Sequence, residues 1–411
     1  MAQLSDDCFA FGGALLPLAD AQAHIAERYH CLVGTEMVAL SAAVGRVLAA
    51  DFIAPMHLPP QTNSAVDGYA VHFADLAADG PTLLPVLGRV AAGHPAGTAL
   101  PRGFASRIFT GAVMPDGPDT VMMQEDCEVL PEGVRLHPGL RRGANCRLAG
   151  EDVARGALAL AAGKRLMPPD VGLLAALGQN HIAVRRALTV ALFSTGDEIA
   201  EPPALLRSGQ VYDANRYMLA ALLRRLGVIV VDGGILPDDA AVTARALAGA
   251  QADLIITSGG VSTGEEDHVR AAIEAAGTLE FWRVAIKPGR PVALGMIGAT
   301  PLLGLPGNPV AALVTLAALG QPLLDRLGGA IYAPPLRLPV ASGFAYRKKA
   351  DRREYVRVRI VDGIARRYPK EGAGIITSLT EADALMELPE AMTQLSPGDF
   401  APCIPLGLLY G

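Results

Sequence analysis

The chain has 411 residues, a formal net charge of -6 and five cysteines. Its length exceeds the size at which one hydrophobic core usually keeps growing, so we expect several domains. The negative charge argues against a nucleic-acid-binding protein, which would carry a basic face, so an anionic ligand would have to be met by local basic residues. The cysteines are scattered and form no Cys-x-x-Cys pair, so we expect neither a disulfide framework nor a zinc site, as in a reducing cytoplasm.

Two features bear on membranes. Asp6 and Asp7 stand near the start without a basic region, so we expect no signal peptide. Residues 291–324 contain no charged side chain, and a stretch of that length could cross a membrane. Five prolines interrupt it, so we expect pieces too short to span as one helix. The stretch therefore predicts buried sheet and helix, and we expect a cytoplasmic protein without membrane contact.

The first part of the chain predicts helical material around a β-rich insertion. Residues 18–50 predict a helix followed by mixed structure, and residues 59–70 form a loop-forming cluster that contains Asp67-Gly68. Short apolar runs separated by Gly and Pro at 81–140 predict a small β-rich unit. Pro168-Pro169 then opens a short helix that ends near Gly178. The β unit is therefore expected to interrupt a discontinuous first domain. The alternative interpretation of Asp67-Gly68 is a simple turn.

Residues 187–329 alternate between strand and helix patterns, which predicts a parallel, doubly wound sheet. Polar loops follow three of the apolar runs, at 194–198, 258–264 and 306–309. In a parallel sheet the loops at the carboxyl ends of the strands share one edge, where ligands bind. We therefore expect the three loops to converge.

The loop after residues 253–257 is rich in glycine and hydroxyl side chains. Gly259, Gly260 and Gly264 would let backbone N–H groups approach a ligand, and the start of the following helix favours negative charge. The loop matches neither the Walker pattern nor the dinucleotide fingerprint. A strand-to-helix turn that needs glycines is the alternative interpretation.

The last 80 or so residues change to a period of two. Val356, Val358 and Ile360 alternate there with Arg357 and Arg359. Such a pattern, with frequent Pro and Gly, predicts a small antiparallel barrel or sandwich.

Six motifs, taken together, resemble the molybdopterin molybdenumtransferase family over nearly the whole chain. They are Asn63-Ser64-Ala65-Val66-Asp67-Gly68-Tyr69-Ala70, Ile108-Phe109-Thr110-Gly111, Ser194-Thr195-Gly196-Asp197-Glu198, Ser258-Gly259-Gly260-Val261-Ser262, Lys287-Pro288-Gly289 and Gly304-Leu305-Pro306-Gly307-Asn308-Pro309. The resemblance implies Mg²⁺-dependent insertion of molybdate into adenylyl-molybdopterin, with release of AMP and formation of the molybdenum cofactor.

The family fold implies a multidomain α/β plus β protein that forms an elongated homodimer. The predicted domains are a discontinuous helical hinge domain at 15–55 and 145–186, an inserted small β domain at 56–144, a doubly wound α/β molybdopterin-binding domain at 187–329 and a C-terminal β-barrel at 330–411. Contact with molybdopterin adenylyltransferase is also implied.

The resemblance also implies the site residues. The catalytic positions are Asp67, Thr110, Asp152, Glu198, Asp238 and Asp267, of which Glu198, Asp238 and Asp267 would hold Mg²⁺. The substrate-binding positions are Ser258, Gly259, Gly260, Ser262, Arg283, Lys287, Arg290, Pro306, Pro309, Arg352 and Ser378. Arg283 stands where the family has a lysine. The positive charge is kept, but the planar guanidinium group of arginine takes the place of the compact ammonium group of lysine.

The chemistry of these residues agrees with a phosphorylated ligand. Breaking a phosphoanhydride concentrates negative charge on oxygen atoms, which a divalent cation and basic side chains can offset. Mg²⁺ prefers oxygen ligands, which would explain carboxylates beside an anion. Arg283, Lys287 and Arg290 lie within eight residues and form the local basic cluster that an acidic protein needs. A solvated surface is the alternative interpretation of that cluster.

Two other functions stay open from the sequence. The α/β domain resembles the molybdopterin adenylyltransferase fold, so the protein could adenylylate molybdopterin rather than insert metal. In some relatives this region is fused to other domains and serves as a non-catalytic scaffold. The four-domain length and the Asp67 motif disfavour the adenylyltransferase, and the lack of a fused extension disfavours the scaffold.

Overall fold

The computed structural model describes residues 15–261 and 268–409. Up to residue 187 its helices and strands are α1 (Leu18–Arg28), β1 (Thr35–Ala39), β2 (Phe52–Ile53), β3 (Asn63–Ser64), β4 (Gly68–Val71), β5 (Thr82–Leu84), β6 (Val86–Val90), β7 (Ala105–Ile108), β8 (Thr120–Met123), β9 (Cys127–Leu130), β10 (Gly133–Leu136), β11 (Cys146–Arg147), β12 (Leu158–Leu160), α2 (Pro168–Ala176) and β13 (His181–Arg185).

The second half begins with an α/β unit, residues 189–328. Its elements are β14 (Thr189–Thr195), β15 (Ile199–Ala200), β16 (Val211–Tyr212), α3 (Asn215–Arg225), β17 (Ile229–Leu236), α4 (Ala240–Gly249), β18 (Leu254–Ser258), α5 (His268–Ala276), β19 (Gly277–Arg283), β20 (Ile286–Lys287), β21 (Pro291–Ile297), β22 (Thr300–Leu305), α6 (Pro309–Thr315) and α7 (Gln321–Gly328). The C-terminal unit, residues 338–409, contains β23 (Leu338–Ser342), β24 (Tyr346–Arg347), β25 (Arg353–Val361), β26 (Ile364–Arg367), α8 (Thr377–Thr380), β27 (Ala384–Leu388), β28 (Gln394–Leu395), β29 (Phe400–Pro405) and α9 (Leu406–Leu409).

Two separate segments, residues 35–64 and 146–185, pair with each other and form the hinge unit. Strand β1 runs antiparallel to β13, and the pairs β2–β12 and β3–β11 add further contacts. Leu48 and Leu174 share one buried core in this unit. The chain therefore leaves this unit and re-enters it, whereas the predicted domain bounds themselves stay a prediction.

Helix α1 lies on the α/β unit rather than on the hinge unit. Its apolar residues recur at helical spacing, and the buried Leu18, Ala21 and Ile25 join the largest core cluster of the protein. The Gln22 side chain donates a hydrogen bond to the Ala318 carbonyl oxygen at 2.8 Å. The start of the chain thus helps to cover the core of the second half.

The inserted β unit, residues 68–136, consists of two small sheets. Strands β6, β7, β4 and β8 form one sheet in that order, and β5, β10 and β9 form the other. Small apolar clusters around Val71 and Ile108 fill the interior. The prediction of a small β-rich unit is confirmed.

The α/β unit has a six-stranded sheet in the order β17, β14, β18, β22, β21 and β19. The first four strands are parallel, as predicted, but β21 and β19 run antiparallel to their neighbours. Only residues 298–299 separate β21 from β22, and so short a connection can join antiparallel strands alone. The doubly wound part thus comprises the four strands whose carboxyl ends carry the polar loops.

One continuous helix covers residues Pro309–Gly328, with a π-helical turn at Leu316–Gly320 between α6 and α7. Residues 291–324 thus divide into buried strands and a buried helix, as predicted, but the expectation that every piece would be too short to span a membrane is wrong for this helix. Pro322 lies two residues after the end of the π-helical turn, where regular bonding is interrupted, so its missing N–H is tolerated. This helix is long and apolar enough to cross a membrane by length and composition, and 78% of that stretch is buried inside the protein.

The C-terminal unit is a closed barrel in which β25, β26, β23, β29 and β27 follow one another and β27 returns to β25. We call it the barrel. Buried Val356 and Val358 point into its core, as the period of two predicted. Strand β20 of the α/β unit pairs with β25, with Ile286 opposite Arg353 and Lys287 opposite Glu354.

Candidate active site

Four loops meet at the carboxyl edge of the parallel strands, after β14, β17, β18 and β22. The Gly196 N–H donates to the Leu236 carbonyl oxygen at 3.1 Å, which links the first two loops. The Gly259 N–H donates to the Leu305 carbonyl oxygen at 3.0 Å, which links the other two. The predicted convergence of polar loops is confirmed, and the loop after β17 joins them.

The two glycines after β18 allow this close contact. Gly259 and Gly260 have φ angles of +98° and +65°. A Cβ atom on Gly259 would lie 2.7 Å from Thr195 Oγ1, and one on Gly260 would lie 2.7 Å from Val269 Cγ2. The turn therefore requires both glycines, and their contact with a ligand stays a prediction.

Several buried oxygen atoms at or next to this edge find no protein partner among the described residues. They are Ser194 Oγ, Thr195 Oγ1, Asn215 Oδ1 and Thr257 Oγ1. The Asn215 amide nitrogen donates to Ser258 Oγ and to the Gly307 carbonyl oxygen, both at 2.8 Å, and so ties helix α3 to two of the loops. Since a buried oxygen without a partner costs about 1–3 kcal/mol, this edge suits a polar ligand or bound water.

Acidic side chains stand on the loops after β14 and β17. Glu198 is exposed and Asp238 is half-buried. Asp197 and Asp238 exchange hydrogen bonds, since each backbone N–H donates to the carboxylate of the other at 3.1 Å. This pair fixes the two loops side by side and leaves one oxygen of each carboxylate for another partner.

A magnesium site is compatible with these loops, on which the structure describes two of the three predicted ligands, Glu198 and Asp238. Asp267, the third predicted ligand, and Ser262 lie outside the described residues. Among residues 15–261 and 268–409, no three His, Cys, Asp or Glu side chains are grouped to hold a metal ion. Mg²⁺ commonly takes one or two carboxylates together with water and substrate phosphates, so Glu198 and Asp238 fit its chemistry.

Asp67 and Thr110 form a pair in the inserted β unit. The backbone N–H and the hydroxyl group of Thr110 both donate to Asp67 Oδ1 at 2.8 Å. These two hydrogen bonds lower the pKa of Asp67, because they favour the ionised carboxylate. A simple turn at Asp67-Gly68 does not account for this pair, because the hydrogen bonds join two motifs more than forty residues apart in the sequence.

Asp152 is exposed in the hinge unit, where its backbone N–H donates to the Leu58 carbonyl oxygen at 3.0 Å. Within the described part of the chain, no hydrogen bond or ion pair links Asp67, Thr110 or Asp152 to Glu198 or Asp238. One subunit therefore presents the predicted catalytic residues as separate groups.

A cavity of about 400 Å³ lies between the α/β unit and the barrel. Six cationic side chains line it, namely Lys287, Arg290, Arg352, Arg357, Arg367 and Lys370. Glu354 and Glu371 are the acidic residues of the lining, and Glu371 forms an ion pair with Arg367. Because the positive charges outnumber the negative ones, the cavity favours an anion.

Buried Glu354 holds two of these cations. It is 1% exposed. Arg352 Nε lies 2.7 Å from Glu354 Oε1, and Lys287 Nζ lies 3.3 Å from Glu354 Oε2. The Tyr346 hydroxyl group donates to the same Oε2 at 2.7 Å. The predicted Lys287 and Arg352 are thus brought together around one buried carboxylate, while the Lys287 side chain is still half exposed and its contact with a ligand stays a prediction.

Ser378 lies behind Arg357 and is not part of the cavity wall. Its side chain is fully buried, and its Oγ accepts a hydrogen bond from Arg357 Nε at 3.0 Å. Burial, followed by the like charge of Arg367, lowers the pKa of Arg357. The structure thus places Ser378 where it can orient a cavity arginine.

Three other predicted positions differ in their relation to the cavity. Pro306 is part of the wall, whereas Pro309 begins helix α6 and is not. Arg283 ends strand β19, opposite Pro291, and is also not among the wall residues. Arg283 therefore lies beside the Arg290 segment in the chain fold but outside the wall of this cavity, and its contact with a ligand stays a prediction.

Sequence reasoning missed several wall residues of the barrel. The sequence pattern shows Arg357 only as a residue that alternates with apolar ones, and it does not point to the other wall residues Arg367, Lys370, Tyr346 and Tyr368. The signal that could have found them is the basic, aromatic composition of residues 346–370, which contain ten Lys or Arg and three Tyr. An exposed barrel face with that composition is suited to an anion.

Models of known families match three parts of the chain. They are the MoeA N-terminal region (domain I and II) at residues 16–178, the probable molybdopterin binding domain at 191–326 and the MoeA C-terminal region (domain IV) at 339–406. These matches follow one another along the chain and cover most of it.

Two curated relatives carry the same name. A molybdopterin molybdenumtransferase from Haemophilus influenzae is 42% identical over 318 residues, which is 77% of this chain and 78% of the relative. One from Nostoc is 35% identical over 379 residues, covering 89% and 87%.

A solved structure is also similar. The molybdopterin biosynthesis moeA protein from Pyrococcus horikoshii OT3 has a TM-score of 0.83 at 28% identity, covering 95% of this chain and all of that protein. Together with the order of the family matches, this similarity shows that the chain belongs to the MoeA family, the transferase family of the curated molybdopterin molybdenumtransferases.

Proposed function

We propose that this protein inserts molybdate into adenylyl-molybdopterin in a Mg²⁺-dependent reaction that releases AMP. The observation that carries the proposal is the cavity of about 400 Å³ with six cationic side chains. In a protein with a net charge of -6, such a concentration of positive charge marks a site for anions. The name of the curated relatives supports the same substrate class.

The loop after β22 connects the cavity to the carboxyl edge of the sheet. Pro306 is part of the cavity wall, while Ser258 Oγ donates to the Pro306 carbonyl oxygen at 3.5 Å. An extended ligand could therefore contact the loop of Gly259 and Gly260 with its phosphate groups and reach the cationic cavity. Adenylyl-molybdopterin and molybdate are the two substrates for this arrangement.

Each group of residues has a role in the proposal. Lys287, Arg290 and Arg352 offset the charge that develops on oxygen when the phosphoanhydride breaks. Glu198, Asp238 and Asp267 would hold Mg²⁺, which supplies further positive charge beside the phosphates when bound. Arg352 would bind molybdate, and Ser378 would act through Arg357.

The direct test is release of AMP from adenylyl-molybdopterin by the purified protein. We expect release with molybdate and Mg²⁺, and little release when either is omitted. A separate reaction with molybdopterin and Mg-ATP should give no adenylylated product. Adenylylation in that second reaction, or no AMP release in the first, would contradict the proposal.

Variants of neighbouring carboxylates test the magnesium role. Asp238→Asn removes a charge that a hard cation requires, so Mg²⁺-dependent AMP release should fall by orders of magnitude. Asp239→Asn is the matched control, because Asp239 caps helix α4 by accepting from the Val242 N–H and Asn caps nearly as well. Normal turnover of Asp238→Asn at ordinary Mg²⁺ concentration would remove Asp238 from the magnesium site. The same measurement on Asp267→Asn tests Asp267 as a magnesium ligand.

The assembly and location belong to the same proposal. We expect a cytoplasmic homodimer in which Asp67, Thr110 and Asp152 complete the cleft of the other subunit. Molybdopterin adenylyltransferase would be the partner that supplies the substrate.

A further inference from the structure

Glu354 is an unusual component of a cavity that favours anions. Its carboxylate is buried and negative, and it opposes the charge of the six surrounding cations. A simple anion-binding site would gain affinity without it, because a like charge repels the ligand. Its presence therefore calls for a role other than binding.

The contacts of Glu354 suggest that role. Its Oε1 accepts a hydrogen bond from Arg352 and its Oε2 accepts one from Tyr346, while Lys287 forms an ion pair with it and donates a hydrogen bond to the Tyr346 hydroxyl oxygen. All three of these residues line the cavity. Burial, and after it Glu354, raises the pKa of Tyr346, so its hydroxyl group stays protonated and donates. Lys and Arg side chains are long and lose much rotamer freedom when fixed, so a buried carboxylate between them restricts both.

We propose that Glu354 is a positioning residue that fixes Lys287 and Arg352 for the transfer step and weakens oxyanion binding as a consequence. This inference rests on the proposed function, since the transfer step is that of molybdate insertion. Glu354 touches neither substrate in this role, because both of its oxygens are occupied by side chains of the protein.

A second buried carboxylate provides a matched control. Glu387 is 3% exposed, forms ion pairs with Arg337 and Arg353, and accepts a hydrogen bond from the Tyr355 hydroxyl group. Neither Arg337 nor Arg353 lines the cavity. Substituting Glu387 therefore disturbs a similar network of the barrel without releasing a cavity cation.

The experiment compares Glu354→Gln with Glu387→Gln in the full-length protein. Molybdate affinity is measured by isothermal titration calorimetry, and turnover by AMP release at saturating molybdate. For Glu354→Gln we expect molybdate to bind about threefold more tightly, because one repulsive charge is lost, while turnover falls at least about tenfold. Glu387→Gln should keep both values and change only the melting temperature.

Two further variants keep the test decisive if Glu354→Gln folds poorly. Glu354→Asp restores the charge on a shorter side chain, so molybdate affinity should return to the wild-type value and turnover should recover in part. Tyr346→Phe keeps the carboxylate but removes the hydroxyl group that donates to Glu354 and accepts from Lys287, so turnover should fall severalfold at unchanged affinity.

Several results would overturn the inference. They are parallel loss of affinity and turnover in Glu354→Gln, normal turnover in that variant, or an equal loss of turnover in Glu387→Gln. If the wild-type protein releases no AMP, the proposed function fails instead. Calorimetry still tests the role of Glu354 in that case. Weaker molybdate binding by Glu354→Gln would contradict the inference that Glu354 weakens oxyanion binding.

Discussion

The hydroxyl group of Thr110 supplies one of the two hydrogen bonds that stabilise ionised Asp67. We expect Thr110→Val to raise the pKa of Asp67 towards its ordinary value, while the backbone N–H keeps part of the effect. A carbon-detected NMR titration of the Asp67 carboxyl group measures this change. Asp75, whose carboxylate is held by Arg102, is the internal reference and should not move.

The lowered pKa of Asp67 determines how its hydrogen bonds make the stability of the protein depend on pH. The stabilisation from the Asp67 hydrogen bonds is present above the unfolded-state pKa of about 3.9, and it is lost as the pH falls through the folded-state value. Thr110→Val should therefore lose less stability than the wild-type protein on acidification. An equal loss in both proteins would show that the hydroxyl bond does not form in solution.

Lys287 is a cavity cation that comes from the α/β unit and contacts Glu354 of the barrel. Lys287→Ala should weaken ligand binding by on the order of 1.5 to 3 kcal/mol, which is roughly 10- to 150-fold, with little change in fold. Calorimetry with molybdate and with adenylyl-molybdopterin measures the affinity. Lys164→Ala is the control, because Lys164 forms its ion pair with Asp170 in the hinge unit, away from the cavity. Unchanged ligand affinity in Lys287→Ala would remove Lys287 from the site.

At the scale of elements, the turn after β18 depends on the conformation of Gly259. Its φ of +98° and the 2.8 Å distance from an added Cβ to the Thr195 carbonyl oxygen both oppose a side chain. We expect Gly259→Ala to lower the free energy of unfolding by about 1–3 kcal/mol or more, which urea denaturation measures. Gly249→Ala is the control, because an added Cβ at the end of helix α4 meets no atom within 4 Å. Equal stability of both variants would contradict the strained turn.

Secondary-structure elements were predicted well where signals within the element itself, such as the spacing of apolar residues, determine its conformation. Helix α2 was expected from Pro168-Pro169 and Gly178, and the barrel strand β25 from the spacing of apolar residues. The antiparallel β21–β22 pair was missed, although only two residues separate Ile297 from Thr300 and indicate a hairpin. The long helix from Pro309 was missed because a π-helical turn beside Pro322 has no sequence signature.

The cavity shows why much of the site could not be predicted. Lys287 and Arg352 came from motif resemblance, but their common partner Glu354 depends on the pairing of β20 with β25. Arg357 lies on the outward face, as its alternation with Val356 indicates. Only the packing of that face against the α/β unit makes it part of a cavity, and such long-range packing leaves no local pattern.

At the scale of the whole molecule, the separate acidic groups bear on assembly. Asp67 lies in the inserted β unit and Glu198 in the α/β unit. If the two act across a homodimer, mixing inactive Asp67→Ala with inactive Glu198→Ala should restore activity, because one composite site of each mixed dimer is intact. AMP release by the mixture measures this, with mixtures of each variant with itself as controls. Failure to complement after confirmed subunit exchange would place both residues in one subunit's site.

The pairing of β20 with β25 also affects how the cavity fills. Its backbone pairing joins the two walls beside Lys287 and Glu354, and the Arg353 N–H adds a bond to the Ala285 carbonyl oxygen at 2.9 Å. Swinging the barrel away from the α/β unit would break these bonds, so they oppose opening of the cavity by a movement of the barrel. Molybdate then has to diffuse in through the open mouth, and the speed of its capture depends on long-range attraction that dissolved salt screens.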